Sequence, residues 1–528
     1  MSTLDDNLYF SRDTKVFIQR SAQTAAVLAD FANNVTTVKF TDALGVKVSV
    51  GDTLKTAAGT TIGGTITAIT RGAGSGSNET HCTVATTGVA GSAADVITIE
   101  KPVYEIPVLD GFSFTQATNA SEVALSEMSD ATGTSRRGRR MFTDSYAPAE
   151  WSFSTYVRPY KAAGSVAGNP HTANHVHCVE EILWALFAGD ANKEDDGDGF
   201  AAAPTAAGTN SYMLSDATNL DVNFSQSNKT ELGTADIFFA LGGANASSVT
   251  KAVVTSNAAN QAVIVVPNNT GIANGDIVTI DGSKVGVVAS GAGTNNITLT
   301  DNIGSVIDGT TTAVNVTFSR QLVYKIAKAV VNEAAIEFDI DGIAQINWSG
   351  MGTVISETDP VSPTINEGIT ATDSFIRNRL TSLSAVSAVS GTSITYDLTL
   401  TGGSVTFTNN LTFITPEQLG QVNQPFAHVT GGRSIGGSFT CYLNTGDDAS
   451  AELFNDLVAA NTTITNSFAL TFKVGGASTP RLEITCPTSH LELPSHSIED
   501  VIAVETTFHA LPSTISGTDE STLVYYAP

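Results

Sequence analysis

Apolar and polar positions alternate with period two along much of the chain, as in Val323–Ile326, Ala335–Ile340 and Ser467–Val474, with Gly, Asn, Asp or Pro at the borders. Successive strand side chains point to opposite faces, so this pattern predicts half-buried strands joined by tight turns. Two stretches break it. Val179, Ile182, Leu183, Leu186 and Phe187 fall at i, i+3, i+4, i+7 and i+8. That spacing predicts a short helix with one apolar stripe, closed by Gly189 in a left-handed C′ position. Leu453, Phe454, Leu457 and Val458 repeat the stripe, with Asp447 and Asp448 ahead as candidate caps and Asn461 behind.

Set at an offset of 271, the two stripes align EILWALFA (Glu181–Ala188) with ELFNDLVA (Glu452–Ala459). The neighbouring segments then fall into step. SFSTYV (Ser152–Val157) pairs with SFTCYL (Ser438–Leu443), and FSFT (Phe112–Thr115) with VTFT (Val405–Thr408). Downstream, IFFALGG (Ile237–Gly243) pairs with LTFKVGG (Leu470–Gly476), and VYKI…EFDIDGIA (Val323–Ala344) with RLEI…SHSIEDVIA (Arg481–Ala503). Five collinear segments predict a tandem duplication. The first copy is longer, which predicts two small all-β modules inserted at 36–100 and 246–318. Each carries a Gly-Asp step (Gly51-Asp52, Gly275-Asp276) followed by Gly-Ala-Gly (Gly72–Gly74, Gly291–Gly293). The first repeated domain is then expected at 1–35, 101–245 and 319–360, and the second at 361–528, with Ser356–Arg379 as the linker.

Composition narrows the function classes. The 528 residues hold 26 Lys+Arg against 52 Asp+Glu, a formal charge of −26, and only 15% of them are charged. A 41% hydrophobic content supports real cores and excludes wholesale disorder. Gripping nucleic-acid phosphates needs cations in excess, so a sequence-reading role on DNA or RNA is disfavoured. The start, MSTLDDNLYF, lacks the basic and apolar regions of a secretory signal, which predicts synthesis in a host cytoplasm. The longest apolar run, Ile182–Ala188, is too short to span a membrane as a helix. Cys82, Cys178, Cys441 and Cys486 lie far apart and read as reduced thiols.

No catalytic, cofactor or metal site is expected. His171, His175, His177 and Cys178 offer zinc-type ligands, but no CxxC partner exists and the second copy has no equivalent. They read as a loop entering a helix. The acidic loop Asn192–Gly199 echoes a calcium loop, yet the position that should hold a bidentate Glu is Ala203. Gly432–Gly436 satisfies GxSxG, but a strand follows where a nucleophile elbow needs a helix. One strong basic cluster stands out: Arg136, Arg137, Arg139 and Arg140. On an acidic chain it is expected to meet acid on a neighbouring subunit.

Four segments together carry a resemblance. LDGFSFTQATNASEVALSEM (Leu109–Met128), SRRGRRMFTDSYAPAEWSFSTYVRP (Ser135–Pro159), HCVEEILWALFAG (His177–Gly189) and EFDIDGIAQINWSG (Glu337–Gly350) resemble tail tube proteins of long-tailed bacteriophages. The resemblance covers both repeats, roughly three quarters of the chain by our alignment. It implies a mainly β fold of two tandem tube-type sandwiches, each with one short helix. It also implies rings of six domains that stack into a tube, through which a tape-measure protein and then DNA pass, with tail terminator or baseplate proteins at the ends. Two domains per chain imply a ring of three chains. The loop Gln116–Tyr146, holding the four arginines, falls where the family carries its ring-stacking loop. A capsid decoration or adhesin built of β modules is the competing class, and should lack the matched helices. A hydrolase is the third, and lacks any convergent acid, base and nucleophile.

Overall fold

The computed structural model describes residues 14–41, 48–74, 79–123, 140–164, 171–189, 213–224, 232–242, 249–253, 255–256, 263–280, 283–299, 314–319, 322–358, 361, 374–387, 393–419, 421–459, 468–498, 501–515 and 517–528. The first copy runs β1 (Lys15–Arg20), β2 (Val103–Ile106), β3 (Ser113–Val123), β4 (Arg140–Tyr156), α1 (Glu181–Ala188), β5 (Met213–Ser215), β6 (Leu220–Asn223), β7 (Ala235–Leu241), β8 (Leu322–Asp339), β9 (Gln345–Gly352) and β10 (Ile355–Thr358). The second runs β11 (Ser382–Ser387), β12 (Ile394–Asp397), β13 (Leu400–Thr408), β14 (Leu411–Ile414), β15 (Ala427–Thr430), β16 (Ser434–Tyr442), α2 (Ser450–Ala459), β17 (Phe468–Val474), β18 (Arg481–Leu491), β19 (Ser495–Ser497), β20 (Ala503–Ala510) and β21 (Thr522–Tyr526).

The pairings repeat between the halves. In the first, β2-β1-β7 continues onto the N-terminal half of β8 and then β10. In the second, β12-β11-β17 continues onto the N-terminal half of β18 and then β21. The C-terminal half of β8 crosses into another sheet, ordered β3-β4-β9-β8, and the end of β18 does the same beside β13-β16-β20. Nine elements thus recur in one order with equivalent partners: β1/β11, β2/β12, β3/β13, β4/β16, α1/α2, β7/β17, β8/β18, β9/β20 and β10/β21. One hydrophobic core runs through both copies, from Val16 to Ala527.

Several placements depart from the sequence reading. The hairpin β5–β6 lies within the expected first domain, yet β6 pairs with β21 and so extends the second copy's sheet. Residues Ser356–Thr358 of the expected linker belong to β10, held on β8. Gly189 is extended (φ −154°, ψ 179°) and not left-handed; its carbonyl accepts from Gly233 N–H at 3.0 Å, a tertiary stop to α1. Val458 is 46% exposed although it shares a stripe with buried Leu453.

The two inserted modules share one topology. Gln23–Ala26 pairs with Val96–Glu100, which pairs with Thr53–Lys55, while Glu79–Thr83 holds Thr37–Phe40 and Ala68–Ala73. Val249–Val253, Val314–Ser319, Ile277–Ile280, Asn296–Leu299, Val263–Val265 and Ser283–Ser290 repeat that scheme. The first module's strands therefore begin at Gln23, ahead of residue 36. Each Gly-Asp step makes the same turn: Gly51 and Gly275 have φ of 94° and 88°. The following Asp Oδ2 accepts from the amide three residues back, Ser49 at 2.8 Å and Ala273 at 2.6 Å. Each module has its own core.

Candidate functional site: the open face of a continuous sheet

The inner sheets of the two copies are one sheet. β8 pairs with β13 across the copy boundary, from Glu333↔Thr408 to Asp339↔Gly402. The strand order is β3-β4-β9-β8-β13-β16-β20, with the end of β18 and then β19 along the outer margin of β20. Period two sends Trp151, Phe153, Ile336, Phe338, Phe407, Phe439 and Phe508 into the core. The alternate positions form the opposite face. Cross-strand pairs share a face, so the register puts Glu150, Glu333, Glu337, Asp339 and Glu505 together among Ser152, Ser349, Ser404, Thr406, Ser438 and Thr507. Among the described residues, the inner-sheet portions of these strands hold a single Lys or Arg, Arg140 at the tip of β4. The face is acidic and rich in hydroxyls.

Among the described residues, the lateral margins of the sheet, β3 on one side and β19 on the other, carry no further paired strand. The helices show what an interior junction needs. All eight α1 residues are buried, including the predicted Ile182, Leu183, Leu186 and Phe187. Trp184 sits against Trp348 of β9 and Phe407 of β13, with ring centroids 4.8 and 5.7 Å away. Its indole N–H donates to Tyr525 Oη of β21 at 2.5 Å. Asn409 Nδ2 donates to the Phe187 carbonyl at 3.2 Å. The second copy thus covers the first copy's helix. α2 is less enclosed than α1: Leu453 is buried, Phe454 and Leu457 are half-buried, and Phe454 meets His496 of β19 at 5.2 Å.

A polar node lies at the start of α1. His177 Nδ1 is 2.8 Å from Glu181 Oε2, and its Nε2 is 3.2 Å from Ser215 Oγ. Ser215 donates to the Val176 carbonyl at 2.6 Å, which leaves its oxygen to accept from His177 Nε2–H. The His171 ring stacks on His177 at 3.8 Å and 2°. Ligand atoms of His171, His177 and Glu181 lie within 4.8 Å of one another, the set a metal ion would take. Parallel stacked rings, however, aim their nitrogens side by side and not at one point. Glu181, missed in the sequence, stood four residues after His177 on the helix. Beside the node, burial pushes the Glu180 carboxyl up to about 7 and drives the Cys178 thiol and Tyr525 hydroxyl upward.

The other sequence candidates separate. Ser434 opens β16, a strand, as expected for a GxSxG without an elbow. Arg433 instead donates to Glu520 Oε2 at 2.6 Å and to the Phe224 carbonyl at 3.0 Å, tying the segment after β6 to the second copy. Cys82, Cys178, Cys441 and Cys486 are free and buried. Arg136, Arg137 and Arg139 and the loop Asn192–Gly199 lie outside the described residues, as does the Arg140 side chain.

No family model matches the chain. A search of curated proteins finds "Tail tube protein pb6" of Escherichia phage T5, 26% identical over 430 residues, which is 79% of this chain and 70% of that protein. By this likeness the chain resembles a phage tail tube protein. A tube protein is a structural component of the virion tail. The strand-rich fold, with α1 and α2 as its two α-helices among the described residues, agrees with it. The tube protein has no helix long and apolar enough to cross a membrane among those residues.

Proposed function

We propose that three copies of this chain close into a ring whose inner sheets join edge to edge, that the rings stack, and that the acidic face lines the bore. The observation that supports the reading is the β8–β13 junction: one chain already joins two sheets of matching strand order into a continuous sheet, whose margins at β3 and β19 carry no further paired strand among the described residues. Joining β18–β19 of one protomer to β3 of the next repeats that junction. Three protomers then contribute twenty-four strands, eight from each, and an edge-free barrel results. The half-buried face of α2 lies beside that margin, where a neighbour would cover it as the second copy covers α1. The domain division expected from the sequence serves this ring as two tube units with two peripheral modules.

The proposed bore repels phosphate. A lining of carboxylates and hydroxyls, with Arg140 at the tip of β4 as its single described cation, offers DNA little to hold it, so DNA slides without specific binding. The role is structural and not catalytic. In the same reading, Arg136, Arg137, Arg139 and Arg140 reach acid on the next ring; Asp341, in the β8–β9 turn at the opposite end of the sheet, is an exposed carboxylate there, 3.6 Å from Arg379 of its own chain. Partners are further copies of the chain, the tape-measure protein within the bore and terminator or baseplate proteins at the tube ends. Negative-stain imaging of purified protein is the test. Hollow tubes with a regular axial repeat and trimers by native mass spectrometry are expected; globular or filled particles overturn the proposal, and a decoration or adhesin would give those.

A further inference from the structure

Histidine is sparse in this chain, eight in 528 residues, yet two stand side by side on the open face. β20 sends Glu505 and Thr507 to that face, so His509, two residues on, points there as well. The register sets His490 of β18 directly opposite His509. Glu492 follows at the same parity, its N–H donating to the Thr507 carbonyl at 2.9 Å and so continuing the ladder. Two imidazoles and one carboxylate, all metal-type donors, thus share one patch of one sheet face. His496 does not join them: it pairs with buried Val504, and its ring meets Phe454 of α2 on the other side.

Opposite side chains of an antiparallel pair have Cβ atoms about 4.5–5.5 Å apart, within joint reach of one ion. His509 Nε2 already lies 3.1 Å from Glu492 Oε1. Two donors bound about 2.0–2.1 Å from one ion, at angles between octahedral and tetrahedral, are themselves about 2.9–3.4 Å apart. The pair therefore has the spacing of adjacent ligands. Both of these side chains are 54% exposed and His490 is half-buried, so its ring can turn to bring a nitrogen to the same point. On the other flank of β20, Gly436 of β16 leaves room, since a Cβ there would come within 3.5 Å of His509 Nδ1. In the buried node at α1, by contrast, the two rings are fixed in a parallel stack.

We propose that His490, His509 and Glu492 form a site for a divalent transition-metal ion of the zinc type, with water completing the coordination. Two imidazole nitrogens and one carboxylate suit zinc, nickel or copper, whereas magnesium and calcium take oxygen ligands. The ion takes the place of the proton between His509 Nε2 and Glu492, and Nδ1 then carries the proton of the neutral ring. The surrounding acidic face raises the local concentration of cations and favours loading. All three ligands belong to one chain, so the site does not depend on assembly. In the proposed ring, three such ions would stand at one level of the bore. Each would give a cation-poor lining a fixed positive point, with a water position open to a phosphate or carboxylate oxygen.

The test uses the full chain, purified without a histidine tag. Calorimetric titration with zinc chloride reads affinity, and electron paramagnetic resonance of bound Cu²⁺ counts nitrogen ligands. Expected are one zinc per chain and two imidazole nitrogens around copper. His490→Ala and His509→Ala should each weaken zinc by about tenfold or more, since losing a ligand costs at least as much as losing its outer support, and should leave one nitrogen. Glu492→Gln should weaken zinc while keeping both nitrogens. All three side chains are at least partly exposed, and circular dichroism checks that folding is intact. Binding that the three variants leave unchanged locates the ion elsewhere, as in the buried node, and overturns the proposal. So does a wild-type chain that binds no zinc, or binds it no more tightly than magnesium, which would mark the acidic face alone. Every reading is taken on unassembled chain, so its outcome is separate from that of the tube test.

Discussion

Replacing Trp184 by Ala measures how far the two copies depend on each other. The indole is fully buried in α1, yet its closest ring contacts include Phe407 of the second copy as well as Trp348 of the first. Removing a buried aromatic side chain of this size costs about 3–5 kcal/mol when the cavity cannot collapse. Tyr525 Oη also loses its indole donor, which adds about 1 kcal/mol. The expected loss is therefore about 4–6 kcal/mol, felt by both halves. The duplication supplies the control. Asn455 occupies the matching place in α2 and is exposed, so Asn455→Ala should lie within about 0.5 kcal/mol of wild type. Urea denaturation of unassembled protein, followed by circular dichroism and by protease resistance of each half, reads both. If Trp184→Ala loosened only the first half, or if Asn455→Ala cost as much, the account of α1 as a shared core element would be wrong.

Glu180→Gln tests the buried carboxyl. Its folded-state pKa of about 7 stands above the ordinary 4.5, chiefly through burial. The native state thus holds the proton more tightly, and wild-type stability falls as pH rises from 4.5 through 7. The Gln variant should flatten that slope, and equal slopes in a pH series of urea melts would refute it. Arg433→Ala removes the Nη2 group that donates to both Glu520 and the Phe224 carbonyl and leaves the mostly buried Glu520 without that partner; a loss of about 3 kcal/mol in the same assay is expected, and no change would count against the tie. All four thiols should resist a disulfide-exchange reagent until the chain unfolds. Burial also raises Cys441 and Cys486 to about 11, so rapid labelling of the native protein would contradict their placement. Changing Glu333, Glu337 and Glu505 to Lys should leave assembly intact while making tubes retain DNA at low salt. Retention unchanged from wild type in an ejection or gel-shift assay would remove the charge argument.

The sequence made the helices legible because an i, i+3, i+4, i+7 stripe is a local signal, and the five collinear segments made the duplication legible because strands that pack alike keep alike patterns. The acidic face was also written there, as single carboxylates at the polar parity of AEWSF, AAIEF and AVETTF. What period two does not reveal is which strand pairs with which. Met213–Ser215 and Leu220–Asn223 are too short to choose their own partner, and β21 is fixed as that partner only by the three-dimensional neighbourhood. The same limit explains Val458 and Gly189: helix spacing identifies a face, while other elements decide whether the face is covered and how the chain leaves it. His177 was visible as a candidate, but its partner Glu181 was absorbed into the helix stripe.

The loan of the β5–β6 hairpin to the second copy has a historical consequence. Once a strand encoded in the first half completes a sheet in the second, cutting the gene between the halves would strip β21 of a neighbour and α1 of its lid at one stroke. A lineage that reached this arrangement could not easily return to single-unit subunits. The two small modules, each with a core of its own, do not share that mutual dependence.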